Sequence, residues 1–230
     1  TSKSKIAQLL IAKNNSDVII ENCEFKNNRA TRLLVVLDSN LVIIDSNFTG
    51  NDIDGQMIYN DGQISLGNVK TCSNDIGISV IYGNVGELKN TLFFNNTCPG
   101  IFNLNANDIS ILNCSIIENS LHNSPIIYLS NAQNFTIKDS VIINNKDVNS
   151  VFSLDGSELN VSDSVILNNG DDIFRFDSSS AQSSVTADDN WWGNNTKPVT
   201  GAVDVGRWVI MSVTPEIAVA GDEVIISAKF

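Results

Sequence analysis

The sequence is poor in basic residues and contains no long apolar run. Its 14 lysines and arginines are outnumbered by 26 acidic residues, which gives a formal net charge of −12. Nucleic acids and anionic lipid surfaces select for basic stripes, so this composition disfavours both as partners. A membrane-spanning helix needs about 18 or more consecutive apolar residues. The sequence has no such stretch, and we expect no membrane span.

Histidine and cysteine are equally scarce. The single histidine, His122, has no acidic neighbour, and the four cysteines include no C-x-x-C pair. We therefore predict no metal site and no cofactor. Cys23 and Cys114 recur at one place in a repeat, four copies apart, which at ~4.8 Å per strand step is too far for a disulfide. We expect these two cysteines, together with Cys72 and Cys98, to be small, mostly buried thiols.

A phrase of about 24 residues recurs eight times along the chain. Its clearest copy is Val18-x-Ile20-x-Asn22-x-x-Phe25-x-x-Asn28. The final asparagine of successive copies falls at Asn28, Asn51, Asn74, Asn96, Asn119, Asn145, Asn169 and Asn195. A period of this length indicates a repeat architecture, in which short units stack because none can bury its apolar face alone.

A four-residue apolar block precedes each phrase, as in Leu34–Leu37 and Met57–Asn60. Alternation points its second residue inward and its third outward. Each repeat then holds three short β segments separated by polar turns. We predict an all-β, right-handed parallel β-helix of about eight rungs over residues 1–200, since parallel crossovers are overwhelmingly right-handed.

One polar position of the phrase is always an amide or an acid. We predict that this column is enclosed and forms a hydrogen-bonded ladder, with the acids meeting turn amides or a cation. Its members are Asn22, Asp45, Asn68, Asn90, Asn113, Asp139, Asp163 and Asp189.

The last copy departs from the pattern in a way that suits a cap. Trp192 takes the inward aromatic place, Trp191 is placed to fold over the end, and Trp208 lies in a segment able to pair as a closing strand. Within residues 201–230, two strands flank a Gly-Asp turn. They are either a C-terminal cap or the truncated first strands of an Ig-like domain.

Three resemblances follow from these residues. The repeats resemble those of right-handed parallel β-helix proteins, including NosD-like and pectate-lyase-like repeats. The F-x-x-N element of Phe25–Asn28 is also similar to chlamydial polymorphic outer-membrane proteins, whose companion G-G-A-I motif is absent. The run Trp191-Trp-Gly-Asn194, followed by Arg207-Trp208, most resembles adhesin-like cell-surface proteins of methanogenic archaea, although Arg207 stands where a proline is expected. That resemblance implies an extracellular, surface-displayed fragment of a longer secreted chain, involved in attachment.

The outward third place carries all three tyrosines of the chain. Tyr59, Tyr82 and Tyr128 share this column with Asn103. Rigid amphipathic rings suit stacking on sugars or packing on a protein, so we predict a binding face for a glycan or a protein on another cell surface. Two other interpretations stay open: tyrosine simply favours strands, or the protein is a rigid stalk.

Catalysis is the remaining alternative, because β-helices also include polysaccharide lyases and hydrolases. The element Gly170-Asp171-Asp172 resembles one motif of polygalacturonase-like enzymes, but their G-H-G and R-I-K elements are missing. Arg175 is the lone basic residue near these acids and Asp177. We predict no catalytic residue.

Overall fold

A computed structural model shows a stack of parallel β coils. It describes residues 6–170, 172–177, 182–200, 203–215, 217, 219 and 223–229. These residues form no helix, and hence none long and apolar enough to cross a membrane.

The described residues form 25 strands, most of them three to five residues long. In chain order they are β1 Ile6–Ala12, β2 Asp17–Glu21, β3 Glu24–Lys26, β4 Arg29–Ile44, β5 Asn47–Thr49, β6 Asp52–Ile53, β7 Gln56–Gly67, β8 Lys70–Cys72, β9 Asp75–Ile76, β10 Ser79–Gly83, β11 Glu87–Lys89, β12 Leu92–Phe94, β13 Phe102–Leu104, β14 Ser110–Leu112, β15 Ser115–Ile117, β16 Ser120–Ser130, β17 Phe135–Lys138, β18 Val141–Ile143, β19 Lys146–Asp155, β20 Glu158–Ser162, β21 Val165–Leu167, β22 Phe174–Phe176, β23 Ser184–Thr186, β24 Ile210–Thr214 and β25 Ile225–Lys229.

These strands stack with equivalent residues directly above one another. Ile111, for example, pairs with Leu88 on one side and Ile137 on the other. All pairings within the 16-stranded and seven-stranded sheets are parallel, and only the β24–β25 hairpin is antiparallel. The prediction of an all-β parallel β-helix of about eight turns is therefore confirmed.

The interior is filled by apolar columns that run the length of the stack. Phe48, Phe93, Phe135 and Phe152 are fully buried. Phe25 and Phe48, on neighbouring rungs, stack with ring centroids 4.6 Å apart and planes within 3°. Identical spacing between rungs lets like side chains pack in one repeated rotamer, so each copy extends the core of the previous one.

In the second repeat, the four-residue apolar block begins one residue earlier than we predicted from the sequence. Leu34 pairs with Ile58 and Val35 with Tyr59, so the block is Leu33–Val36. Leu33 and Val36 are both fully buried. Because every residue from Leu33 to Leu37 is apolar, the sequence does not show which of them begins the block. In this rung, Val35 is therefore the residue of the outward column.

The column of Asn22, Asp45, Asn68, Asn90, Asn113, Asp139, Asp163 and Asp189 is not enclosed, so that prediction was wrong. Seven of its residues are exposed and Asp189 is half-buried. All eight have φ between +49° and +63°. Asparagine and aspartate tolerate this left-handed conformation better than other residues with a side chain, which explains the column. Some neighbours still bond across rungs, such as Asn113 Nδ2 to Asn90 Oδ1 at 2.7 Å.

The enclosed ladder is the column that ends each phrase. From Asn28 to Asn145, each Nδ2 donates to the Oδ1 of the next copy over 2.7–3.0 Å, and Asn169 is the last acceptor. The same Oδ1 also accepts the backbone N–H of the previous asparagine, as in Asn96 N to Asn119 Oδ1 at 2.9 Å. From Asn51 onward, a carbonyl of the preceding rung accepts the second amide hydrogen, as Phe93 O does from Asn119. An asparagine ladder is thus confirmed, in a different column.

The eighth copy leaves this pattern and closes the stack. Asn195 does not join the buried ladder, and its side chain instead bonds the backbone of Met211 in β24. Trp192 lies in the interior against Phe174, with centroids 6.2 Å apart. Trp191 is half-buried beside Val165.

A partial ninth rung covers this end. Trp208 pairs in parallel with Asn190 and donates its indole N–H to the Asn195 carbonyl. Val205, in the same segment, is fully buried in the core. The β24–β25 hairpin follows. Both alternatives predicted for this segment, a C-terminal cap and the first strands of an Ig-like domain, include such a hairpin. The Gly-Asp turn predicted at 221–222 lies outside the described residues.

Substitutions in the two asparagine columns should differ in their effect on the free energy of unfolding. Asn119→Leu removes five side-chain hydrogen bonds inside the stack, and we expect it to lower the free energy of unfolding by roughly 3 kcal/mol or more. Asn113→Gly keeps a residue suited to positive φ on the surface and should change it by less than about 0.5 kcal/mol. Chemical denaturation of both variants measures the difference. Equal costs would contradict the assignment of the buried ladder.

Candidate functional site

The tyrosine column lies on the outer surface of the first strand of each rung. The parallel register aligns Tyr59, Tyr82, Asn103 and Tyr128 on four successive rungs. All four side chains are half-buried. The column continues to Ser153, which is buried, and to Arg175, which is exposed. The sequence-predicted residues are therefore brought together on one face.

Tyr59 and Tyr82 form a parallel stack. Their ring centroids are 5.5 Å apart and their planes differ by 8°. The guanidinium carbon of Arg32 lies 4.5 Å from the centroid of Tyr59, and its Nε donates to Gln56 Oε1 over 2.8 Å. A cation over an aromatic face is stabilised by the ring quadrupole. Tyr82 and Arg32 both pack on the Tyr59 ring, and these contacts order the stack.

Asn103 interrupts the aromatic column and opens a groove beside it. We call this the Asn103 groove. It has a volume of about 330 Å³. The residues that line it are Ile78, Ser79, Pro99, Gly100, Phe102, Asn103, Ser124, Pro125 and Tyr128. They are all uncharged, and they come from the strands of three rungs and from the turns that precede them.

Ser79 is the unusual member of this groove. The residue is 1% exposed, and its hydroxyl oxygen has no hydrogen-bond partner among the described residues. Buried polar groups are nearly always paired in native structures, so an unpaired one needs an explanation. The side-chain amide of Asn103 likewise bonds to no described residue.

Two carboxylates act on the Tyr128 hydroxyl at one end of the groove. Burial raises the pKa of the Tyr128 hydroxyl above its ordinary value, and the carboxylates of Asp155 and Asp177 raise it further. Both effects disfavour the phenolate. Tyr128 is thus a neutral hydrogen-bonding ring under physiological conditions.

The residues considered for catalysis are engaged elsewhere or exposed. Arg175 Nε lies 3.4 Å from Asp177 Oδ1, and Ser153 donates to the other carboxylate oxygen over 3.1 Å. Asp172 and His122 are exposed. Asp171 lies outside the described residues. Within the part of the chain that the structure describes, no three His, Cys, Asp or Glu side chains are grouped to hold a metal ion.

Comparison with known families identifies the architecture. The family described as right-handed β-helix region matches residues 55–222. The chain belongs to the right-handed β-helix family. Its members share the coil of parallel rungs seen here, so the match accounts for the scaffold and leaves the chemistry of the exposed face to be argued from residues. The comparison with curated proteins gives no match.

Sequence reasoning missed several residues of this β-helix face. Arg32 and Gln56 flank the tyrosine stack, and Ser79, Pro99 and Pro125 wall the Asn103 groove. They lie in the turn or strand start ahead of the outward place, where the repeat shows no common pattern. The proline pair, 26 residues apart, was the one available signal.

The four cysteines are free and differ in exposure. Cys23 is exposed, Cys72 is half-buried, and Cys98 and Cys114 are buried. Burial raises the pKa of the Cys98 thiol to about 12 and that of Cys114 to about 11. The expectation of mostly buried thiols holds for these two, whereas Cys23 lies in solvent.

Alkylation tests this ranking. At about pH 8, iodoacetamide should modify Cys23 quickly, because the attacking species is the thiolate and this side chain is accessible. Cys98 and Cys114 should stay unmodified until denaturant is added, since their raised pKa values keep them protonated. Peptide mass spectrometry identifies each site. Rapid labelling of Cys98 in the folded protein would refute its placement in the core.

Proposed function

We propose that this β-helix protein is an extracellular, adhesin-like binding protein that contacts a glycan or a cell-surface partner through its tyrosine face without catalysing a reaction. The observation that carries the proposal is the ordered stack of Tyr59 and Tyr82 on a rigid outer sheet. Preorganised aromatic side chains lose little conformational entropy on binding, which favours affinity. Aromatic rings are also enriched at recognition surfaces.

The composition of the remaining surface supports the same proposal. The chain is strongly acidic, with a net charge of −12, and a β-helix of this kind is a stiff rod suited to holding a binding face away from its attachment point. The Trp191–Asn194 junction resembles that of adhesin-like surface proteins of methanogenic archaea, which supports display outside the cell. The partner favoured by the half-buried rings is a glycan, because sugars present apolar C–H surface to the ring edges together with hydroxyl groups for the phenol oxygens.

Substitution of the stacked pair tests this function. In a glycan-array or whole-cell binding assay, the double variant Tyr59→Ala/Tyr82→Ala should lose at least about tenfold in affinity, since two large contact surfaces are removed. Leu92→Ala/Phe94→Ala removes two half-buried apolar side chains from the seven-stranded sheet and is the matched control, expected to bind like the parent protein.

The outcome also decides between binding and a purely mechanical role. If the parent protein binds and the tyrosine variant binds equally well, the face is not the site. If neither binds any glycan or cell, the rod acts as a stalk that spaces other domains. Thermal unfolding of each variant shows whether a loss of binding reflects a loss of structure.

A further inference from the structure

The ring faces of the tyrosine column are not equally available. Because the rings of Tyr59 and Tyr82 stack along the axis of the rod, their faces point toward neighbouring rungs. Arg32 covers one face of Tyr59, and Tyr82 covers the other. The second face of Tyr82 points toward the rung of Asn103. The first uncovered aromatic face of the column is therefore on the side of the Asn103 rung.

The rung after Asn103 supplies a second aromatic ring. Tyr82 and Tyr128 are separated by two rungs, or about 9.6 Å at ~4.8 Å per strand step. Of these two rings, it is Tyr128 that lines the groove. Asn103, whose side chain is much shorter than tyrosine, leaves this space open.

The groove is lined by both apolar and polar uncharged side chains. Pro99, Pro125 and Ile78, which is 43% exposed, supply apolar surface. The Ser79 hydroxyl, buried and unpaired, provides one hydrogen-bonding group, and the unbonded Asn103 amide provides a donor and an acceptor beside it. A pyranose ring has the matching character, with apolar C–H faces and a rim of hydroxyl groups that donate and accept.

We propose that the Asn103 groove is a subsite for one neutral pyranose unit of a glycan, packed against Tyr128 and hydrogen-bonded by Ser79 and Asn103. This proposal rests on the proposed function and specifies the ligand of the same face. The volume of about 330 Å³ is at the small end of the ~300–1,000 Å³ typical of ligand pockets, which favours a single sugar unit over a longer segment.

Charge determines which sugars the subsite accepts. Every lining residue is uncharged, so no cation is available to pair with a carboxylate or sulfate. Asp155 and Asp177 act on Tyr128 at one end of the groove, and the whole chain is acidic. A uronic acid would bring a like charge into this field and lose hydration without gaining a partner. Neutral hexoses avoid that cost.

Saturation-transfer and chemical-shift NMR test the subsite with defined probes. The probes are the methyl pyranosides of glucose, galactose and mannose, with methyl glucuronate as the charged comparison and a short oligoproline peptide as a non-sugar comparison. We expect at least one neutral pyranoside to bind with millimolar affinity. The glucuronate and the peptide should bind at least about tenfold more weakly or not at all.

Two substitutions localise the signal. Asn103→Tyr fills the opening with a residue that this column already carries on neighbouring rungs, and it should abolish pyranoside binding while the protein stays folded. Ser79→Ala removes a hydroxyl that has no partner among the described residues, so the thermal midpoint should be unchanged or higher. Its affinity for the pyranoside should nevertheless fall about three- to tenfold. Leu92→Ala/Phe94→Ala is again the control.

The outcomes separate this inference from the function on which it rests. Neutral-sugar binding that survives Asn103→Tyr, equal binding of the glucuronate, or binding of oligoproline in place of the sugars overturns the subsite. No pyranoside signal together with glycan-array binding that still requires Tyr59 and Tyr82 also overturns it, and leaves the proposed function standing. Array binding that is indifferent to both tyrosines removes the proposed function itself.

Discussion

The hydrogen-bonded column of buried asparagines is the constraint on which the rest of the structure depends. Each amide from Asn51 to Asn145 satisfies groups on the rungs above and below it, including a backbone carbonyl of the preceding rung. An unpaired buried polar group costs about 1–3 kcal/mol, so a slip of one residue would leave a series of such costs along the stack. The ladder therefore fixes the vertical register, while the apolar columns supply the burial that favours folding.

A fixed register turns a repeated sequence into a patterned surface. Any outward position occurs once per rung, about 4.8 Å from its equivalents, so side chains in one column are held at regular spacing by the backbone. Tyr59 and Tyr82 stack for this reason, and Arg32 packs on the Tyr59 ring beside them. The same regularity makes a departure meaningful: a short Asn103 between tyrosines leaves a gap of defined width. On this scaffold, the residue that occupies each rung of an outward column determines what the surface can bind.

Much of this fold could be predicted from the sequence because periodicity reports stacking directly. The rungs, the parallel sheets and the shared column of tyrosines follow from spacing alone. Which polar column is enclosed does not, since both are rich in asparagine. One signal was available: the exposed column mixes asparagine with acids such as Asp45 and Asp139, whereas the buried column from Asn28 to Asn169 is asparagine throughout. A buried carboxylate needs compensation that an amide does not, so the column without acids is the interior one.

The walls of the Asn103 groove could not be predicted, because they come from turns of differing length outside the repeated phrase. Pro99 and Pro125 meet only after the rungs are stacked, and the missing partner of Ser79 is a property of three-dimensional packing. The shift of the Leu33–Val36 block has a similar origin, since a run of consecutive apolar residues carries no register until the neighbouring rung sets it. Sequence periodicity thus gives the scaffold, and deviations from it give the site.

Vertical register is tested most directly by pulsed electron–electron distance measurements between spin labels placed in one outward column. In a variant lacking the four native cysteines, label pairs at Val42 with Asn160 and at Val42 with Thr186 lie five and six rungs apart. The account predicts backbone separations of about 24 Å and 29 Å, an increase of one rung. Equal distances, or a difference unrelated to the rung spacing, would contradict the stacked register from which the ladder and the tyrosine face both follow.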